Sequence, residues 1–181
     1  MNKLVSLDDK YTARSGSVYM TGTQALVRLP MTQMRRDRAA GLNTGAFISG
    51  YRGSPLGGYD QQLLKARKYL EPHDVVFQPG LNEDLAAAAV WGSQQLHLSP
   101  GATKDGLLGV WYGKGPGVDR SGDVFKHGNA AGSAPHGGVL AFAGDDHTCK
   151  SSSIPHQSDH AFISALMPML YASSVHEFLE L

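Results

Sequence analysis

Ala46-Phe47-Ile48-Ser49-Gly50-Tyr51-Arg52-Gly53-Ser54-Pro55 joins a short apolar run to a glycine-bounded polar turn. The run is too short for a helix and reads as a buried strand. Ser54 followed by Pro55 is a good N-cap and first-turn pair, so the two residues are expected to open the next helix. Segment 58–70 continues helically, with Leu63, Leu64, Ala66 and Leu70 as its apolar positions. Strand, glycine turn and helix make the first half of a βαβ unit.

The same alternation extends in both directions. Upstream, 21–40 reads as a helix with Leu26, Leu29, Met34 and Ala39 as its apolar stripe, and Arg35, Arg36 and Arg38 near its C-terminal end. Pro30 predicts a kink in that helix or its true start, and Gly41 a stop. Downstream, strands are expected at 75–77, 107–112 and 139–143, with a possible fifth at 169–172. Helices are expected at 82–98, 158–167 and from 175 onward, with a weaker one across 118–133. Strands alternating with helices predict an α/β fold with a mostly parallel sheet and helices on both faces. The chain divides into a lead-in over 1–20 and one α/β domain over 21–181. It stops at Leu181 inside an amphipathic pattern, which reads as a truncated C-terminus and predicts exposed apolar surface around Phe178 and Leu181.

Composition narrows the class. The 181 residues carry no formal net charge and only 18% charged residues, which argues against a nucleic-acid or anionic-membrane binder. A single cysteine, Cys149, leaves no material for a disulfide framework or a multi-cysteine zinc or iron–sulfur site. The start, MNKLVSLDDK, has too short an apolar core for a signal peptide. A cytoplasmic protein is expected. Its 22 glycines cluster between apolar runs, where backbone turns tightly or approaches a ligand.

In an open parallel sheet, ligands bind beyond the carboxyl ends of the strands. The segments to search are therefore 50–55, 78–84, 113–119 and 144–159. Gly113 to Gly117 lacks the spacing of a Walker loop or a dinucleotide fingerprint, so a nucleotide-phosphate site is not expected. Asn82-Glu83-Asp84 has a plain structural reading, a cap followed by two acids at a helix N-terminus. His147, Cys149, His156 and His160 are metal-capable, yet their spacing matches no standard finger. Cys149 is also a candidate nucleophile with histidines nearby.

Residues 41–60, GLNTGAFISGYRGSPLGGYD, resemble the N-terminal part of the long, fused bacterial indolepyruvate ferredoxin oxidoreductases. Asn82-Glu83-Asp84-Leu85-Ala86 and Gly144-Asp145-Asp146-His147 follow in the order of that family, and the likeness spans about residue 7 to the end. The resemblance implies a thiamine diphosphate-binding pyrimidine-domain fold within a 2-oxoacid:ferredoxin oxidoreductase. Such enzymes decarboxylate arylpyruvates such as indolepyruvate, pass electrons through iron–sulfur clusters to ferredoxin and release an acyl-coenzyme A.

By the same resemblance, Glu83 is the carboxylate that activates thiamine diphosphate. Gly50, Tyr51, Gly53, Ser54 and Pro55 form the cofactor-facing turn, in which Arg52 replaces a frequent proline. Ser54, Lys114, Asp146 and His147 are substrate candidates, with Asp119 beside Lys114. No magnesium motif of the Gly-Asp-Gly…Asn kind and no cysteine cluster is present in the sequence. The magnesium and diphosphate are therefore expected on a second domain or subunit, and the iron–sulfur clusters and coenzyme A site elsewhere in the full enzyme. A homodimer is expected, since thiamine sites in this superfamily lie between domains, and the isolated chain is expected to be inactive. Two other readings stay open. One is a non-catalytic remnant that binds a partner subunit; the other is a small metal-binding α/β domain using His147, Cys149, His156 and His160.

Overall fold

The computed structural model describes residues 5–181; the first four residues of the lead-in lie outside the described part. In chain order the elements are α1 (Asp9–Thr12), α2 (Gly22–Ala39), β1 (Gly45–Gly50), α3 (Tyr59–Lys65) and α4 (Arg67–Leu70). They continue with β2 (Val75–Phe77), α5 (Glu83–Gln94), β3 (Leu107–Lys114), α6 (Gly115–Arg120) and α7 (Gly122–Ala131). The last are β4 (Gly138–Gly144), α8 (Asp159–Ser164) and α9 (Val175–Glu180). The four strands form one all-parallel sheet in the order β2-β1-β3-β4, flanked by helices.

Alternation along β3 assigns the two faces. Val110 and Tyr112 pack with Ile48, Met31, Met34, Tyr59 and Leu63 beneath α2 and α3. Trp111 points the other way, against Ala87, Val90, Phe125 and Phe162 from α5, α7 and α8. Both faces carry edge-to-face aromatic pairs, Tyr59 with Tyr112 at 5.0 Å and Trp111 with Phe125 at 4.9 Å between ring centres. A fully buried side chain such as Ile48 contributes about 1.5–3 kcal/mol by its removal from water. The buried Gln94 side chain ties α5 to two strands at once. Its amide donates to the Leu107 carbonyl at 3.1 Å and accepts from the Gly138 N–H at 2.8 Å.

Several elements depart from the sequence-based expectation. α2 runs unbroken through Pro30 and starts at Gly22, because Thr21 and Gln24 form a complete capping box. Pro30 is buried, and the stripe that faces the core is Ala25, Leu26, Val27, Pro30, Met31 and Met34; Ala39 is exposed. The helix expected over 58–70 breaks at Ala66, and Leu64 is exposed. Ser54 and Pro55 do not open it: Leu56-Gly57-Gly58 intervenes, and two glycines are poor helix formers. The helix after β2 ends at Gln94, and the weak helix over 118–133 is two helices meeting at Ser121. α8 stops at Ser164, and Leu166 adopts a left-handed conformation (φ 57°). Residues 169–172 pair with no strand and form no fifth strand. Phe178 is not exposed. It packs on Phe142 with ring centres 5.8 Å apart, while Leu181 does lie open.

At the carboxyl end of β1, a methyl group on Gly50 would lie 2.2 Å from the Tyr112 carbonyl oxygen, a backbone atom that cannot step aside. Gly58 has nothing within 4 Å of the same position. Gly50→Ala is therefore expected to lower unfolding stability by about 1–3 kcal/mol or more. Gly58→Ala should stay within about 0.5 kcal/mol of the parent. Urea denaturation of the two variants checks the contrast.

Candidate functional site

The carboxyl ends of the four strands bring the expected segments to one edge. Two backbone bonds knit the first three together. The Tyr51 N–H donates to the Tyr112 carbonyl at 3.0 Å, and the Gly80 N–H to the Gly50 carbonyl at 2.9 Å. The 51–57 turn then folds over β3 and β4. Gly53 lies against Lys114, where an added methyl would be 3.0 Å from its Cβ, and Pro55 lies against Gly144. Tyr51, Ser54 and Pro55 are exposed, and Gly50 is buried in the sheet.

Glu83 is the first residue of α5. Asn82 caps that helix, its side chain accepting from the Leu85 N–H at 2.8 Å. A carboxylate in this first turn is favoured by the helix dipole. The residue is gripped at two points. The buried Trp111 indole N–H donates to the Glu83 carbonyl at 3.0 Å, and the side chain lies against Gly117 and Gly113. A methyl on Gly117 would be 2.4 Å from Glu83 Cγ and 2.9 Å from Oε1, so the wall facing this carboxylate has room only because it lacks side chains. Among the described residues, the Glu83 carboxylate takes part in no hydrogen bond or ion pair.

Asp119, Asp145 and Asp146 are engaged, whereas Asp84, beside Glu83 in the first turn of α5, makes no hydrogen bond or ion pair among the described residues. Asp146 accepts from the N–H groups of Lys150 (3.0 Å) and Ser151 (2.7 Å) and from the hydroxyls of Ser151 and Ser152. These bonds, the Ser151 N–H foremost, hold its carboxyl well below the usual carboxylate range. Lys114 joins the same turn, donating to the Ser151 carbonyl at 2.7 Å and lying 3.5 Å from Asp146. Asp145 anchors Ser158, the residue before α8, accepting from its N–H at 2.7 Å and its hydroxyl at 2.6 Å. His156 is 9% exposed, and its Nε2 lies 2.7 Å from Asp119.

Of the residues singled out in the sequence, the structure joins Gly53 and Pro55 with Lys114, Asp146 and the end of β4. It joins Glu83 with the glycines of β3 and α6. His147, next to Asp146 in the chain, and His160 are exposed. His147, Cys149, His156 and His160 do not converge: among the described residues, no three His, Cys, Asp or Glu side chains assemble a metal site. Cys149, in a left-handed conformation (φ 56°), contacts no histidine through a hydrogen bond. The Asp119–His156 and Asp145–Ser158 pairs were not foreseen. The second carries a readable signal, since Ser158 precedes an amphipathic segment; the first carries none, because 37 residues separate its members. Among the described residues, no helix is long and apolar enough to cross a membrane.

The low Asp146 carboxyl gives the 146–152 turn a defined pH response. A group whose proton affinity falls on folding contributes order above its unfolded range, and that order is lost as pH drops through the folded value. The amides of Lys150 and Ser151 are expected to remain protected from hydrogen exchange as pH falls through about 4 and to lose protection only below it. Asp146→Ala should abolish the protection already at neutral pH. Chain-wide comparison against protein-family models, curated proteins and solved structures finds no match.

Proposed function

We propose that this chain is the pyrimidine-binding domain of a 2-oxoacid:ferredoxin oxidoreductase acting on indolepyruvate or another arylpyruvate, with the thiamine diphosphate-binding pyrimidine-domain fold. The resemblance of residues 41–60 and 82–86 names the family. The observation that carries the reading is Glu83, a carboxylate free among the described residues, placed at the carboxyl edge of a parallel sheet against a wall of glycine.

The residues present fit the pyrimidine end of the cofactor. Gly113 and Gly117 make room for the Glu83 side chain itself, whose unengaged carboxylate is the donor and acceptor that a pyrimidine nitrogen requires. Thiamine diphosphate, when bound, supplies a nucleophilic carbon for the 2-oxo group and a sink for the electron pair left by carbon dioxide. Glu83 would hold a proton at the pyrimidine ring nitrogen, favouring the tautomer in which the exocyclic nitrogen acts as a base. Asn82 and Trp111 fix the helix start from which that carboxylate extends. Ser54, exposed at the tip of its turn, and Lys114, beneath it, are the groups on this chain assigned to the substrate side.

Asp146 serves that side indirectly, by shaping the turn that Lys114 joins. His147, exposed beside it, is assigned to the same side. Magnesium and the diphosphate belong to a partner domain in this reading, as do the iron–sulfur clusters, coenzyme A and the ferredoxin contact. Pairing with a second copy and a cytoplasmic setting complete it.

With the diphosphate-binding partner supplied, Glu83→Gln is expected to slow exchange of the cofactor's C2 proton by about 10²–10⁴-fold, the scale of a lost acid–base contribution. Circular dichroism and thermal unfolding should be unchanged. Gly117→Ala should show the same defect, because its methyl takes the space of the Glu83 side chain. Parental exchange rates in Glu83→Gln would remove this residue from the mechanism.

A further inference from the structure

The Glu83 side chain rests on the first turn of α6, and that turn has a second neighbour on its other side. Gly117 faces Glu83, while a methyl on Gly115 would lie 2.4 Å from His156 Nδ1 and 2.7 Å from an Asp145 carboxylate oxygen. The loop that follows β4 thus reaches back over α6 and meets it at a glycine, just as α5 does from below. We propose that His156 is a positioning residue for Glu83: bonded to Asp119 and packed on Gly115, it seats the 115–117 turn against the Glu83 side chain.

Three observations support the assignment. First, the imidazole is nine-tenths buried, yet only Nε2 makes a hydrogen bond; Nδ1 makes none and lies 3.8 Å from an Asp145 carboxylate oxygen. Leaving a buried ring nitrogen unbonded is unfavourable, and an apolar side chain of that volume would avoid the cost. What an apolar side chain would lack is the 2.7 Å bond to Asp119, which lies within α6 itself. Since a carboxylate only accepts, Nε2 carries the proton, and Asp119 sets the tautomer and direction of the ring. Second, α6 is six residues long and its anchors are few, chiefly the buried Val118. A bond from Asp119 to a ring fixed in the opposite loop restrains the exposed side of that short helix. Third, the loop bearing His156 is itself tied down on both sides. Asp145 accepts two bonds from Ser158, and Lys114 donates to Ser151. The ring therefore has a rigid frame to push against.

The proposal rests on Glu83 being the working carboxylate, but its test reads the seat of Glu83 and not turnover. Trp111 supplies the reporter, because its indole N–H donates to the Glu83 carbonyl. Asp119 is 63% exposed, so Asp119→Ala removes the bond without opening the core. In the full chain, Asp119→Ala is expected to speed hydrogen exchange of the Trp111 indole N–H by about tenfold or more. The amides of β1 should keep parental rates. Asp119→Asn, whose amide oxygen still accepts from Nε2, should restore most of the protection, and His156→Gln, which still donates, should lie between the two.

An unchanged Trp111 indole in Asp119→Ala overturns the proposal, and so does an equal acceleration throughout β1, which would mean general loosening. Failure here leaves the Glu83→Gln proton-exchange result untouched, and failure there leaves this seat intact, so the two ideas fall separately.

Discussion

The ladder between β1 and β3 sets the height of every segment on the carboxyl edge. It runs in register from Gly45 opposite Leu107 to Gly50 opposite Tyr112. At its last rung the two backbones approach so closely that no side chain fits on β1. That approach lets the Tyr51 N–H reach across to the Tyr112 carbonyl and frees the Gly50 carbonyl for Gly80 on the other side. The turn after β1, the start of α5 and the end of β3 are therefore parts of one bonded structure. A parallel sheet buried on both faces gives such an edge its stiffness, since the strands beneath cannot slip without turning Ile48, Val110 and Trp111 onto the wrong face.

The edge is divided by the turn that opens α6. On one side the 51–57 turn, Lys114 and the Asp146 loop lean on one another; on the other, Glu83 lies in a glycine-walled niche closed by Trp111 below. Gly113, Gly115 and Gly117 recur at every second position through this division, and each is in close contact with a side chain from a different element: Trp111, His156 and Glu83. Close packing of backbone against side chains, and not conformational freedom, accounts for these three glycines. None of the three adopts a left-handed conformation.

Much of this was legible in the sequence, and for identifiable reasons. The strands centred on Phe47, Val76, Val110 and Ala141 are short apolar runs bounded by turn residues, a pattern set by local chemistry. Asn82 as a cap and Glu83 at the head of a helix were equally local, and the structure has both. The errors arose where tertiary contacts override local preference. Pro30 stays inside a helix because the capping box at Thr21 and burial beneath the sheet outweigh a missing bond. Residues 169–172 carry a strand-like apolar run but have no strand to pair with. Phe178 reads as the greasy end of a cut chain, yet Phe142 on β4 receives it. The Asp119–His156 bond was invisible because only the fold brings those residues together.

Partners and packing together single out Glu83 among the acids of this edge. Asp84 beside it is also unpartnered among the described residues, but only Glu83 is held by Trp111 and packed on Gly113 and Gly117. Asp145 and Asp146 spend their lone pairs on N–H and hydroxyl groups of their own loop, and Asp119 on His156. A carboxylate already satisfied by backbone N–H groups is a poor proton acceptor, because protonation would break the bonds that stabilise its charge. Of the three, Asp146 is the one held this way, its carboxyl kept well below the usual carboxylate range by the Ser151 and Lys150 N–H groups. Glu83 has its main chain fixed at the carbonyl and its side chain confined by glycine, while its carboxylate is left with unused hydrogen-bonding capacity. A group rigidly placed yet chemically unspent is suited to acting on a bound ring, and among the acids at this edge only Glu83 meets both conditions.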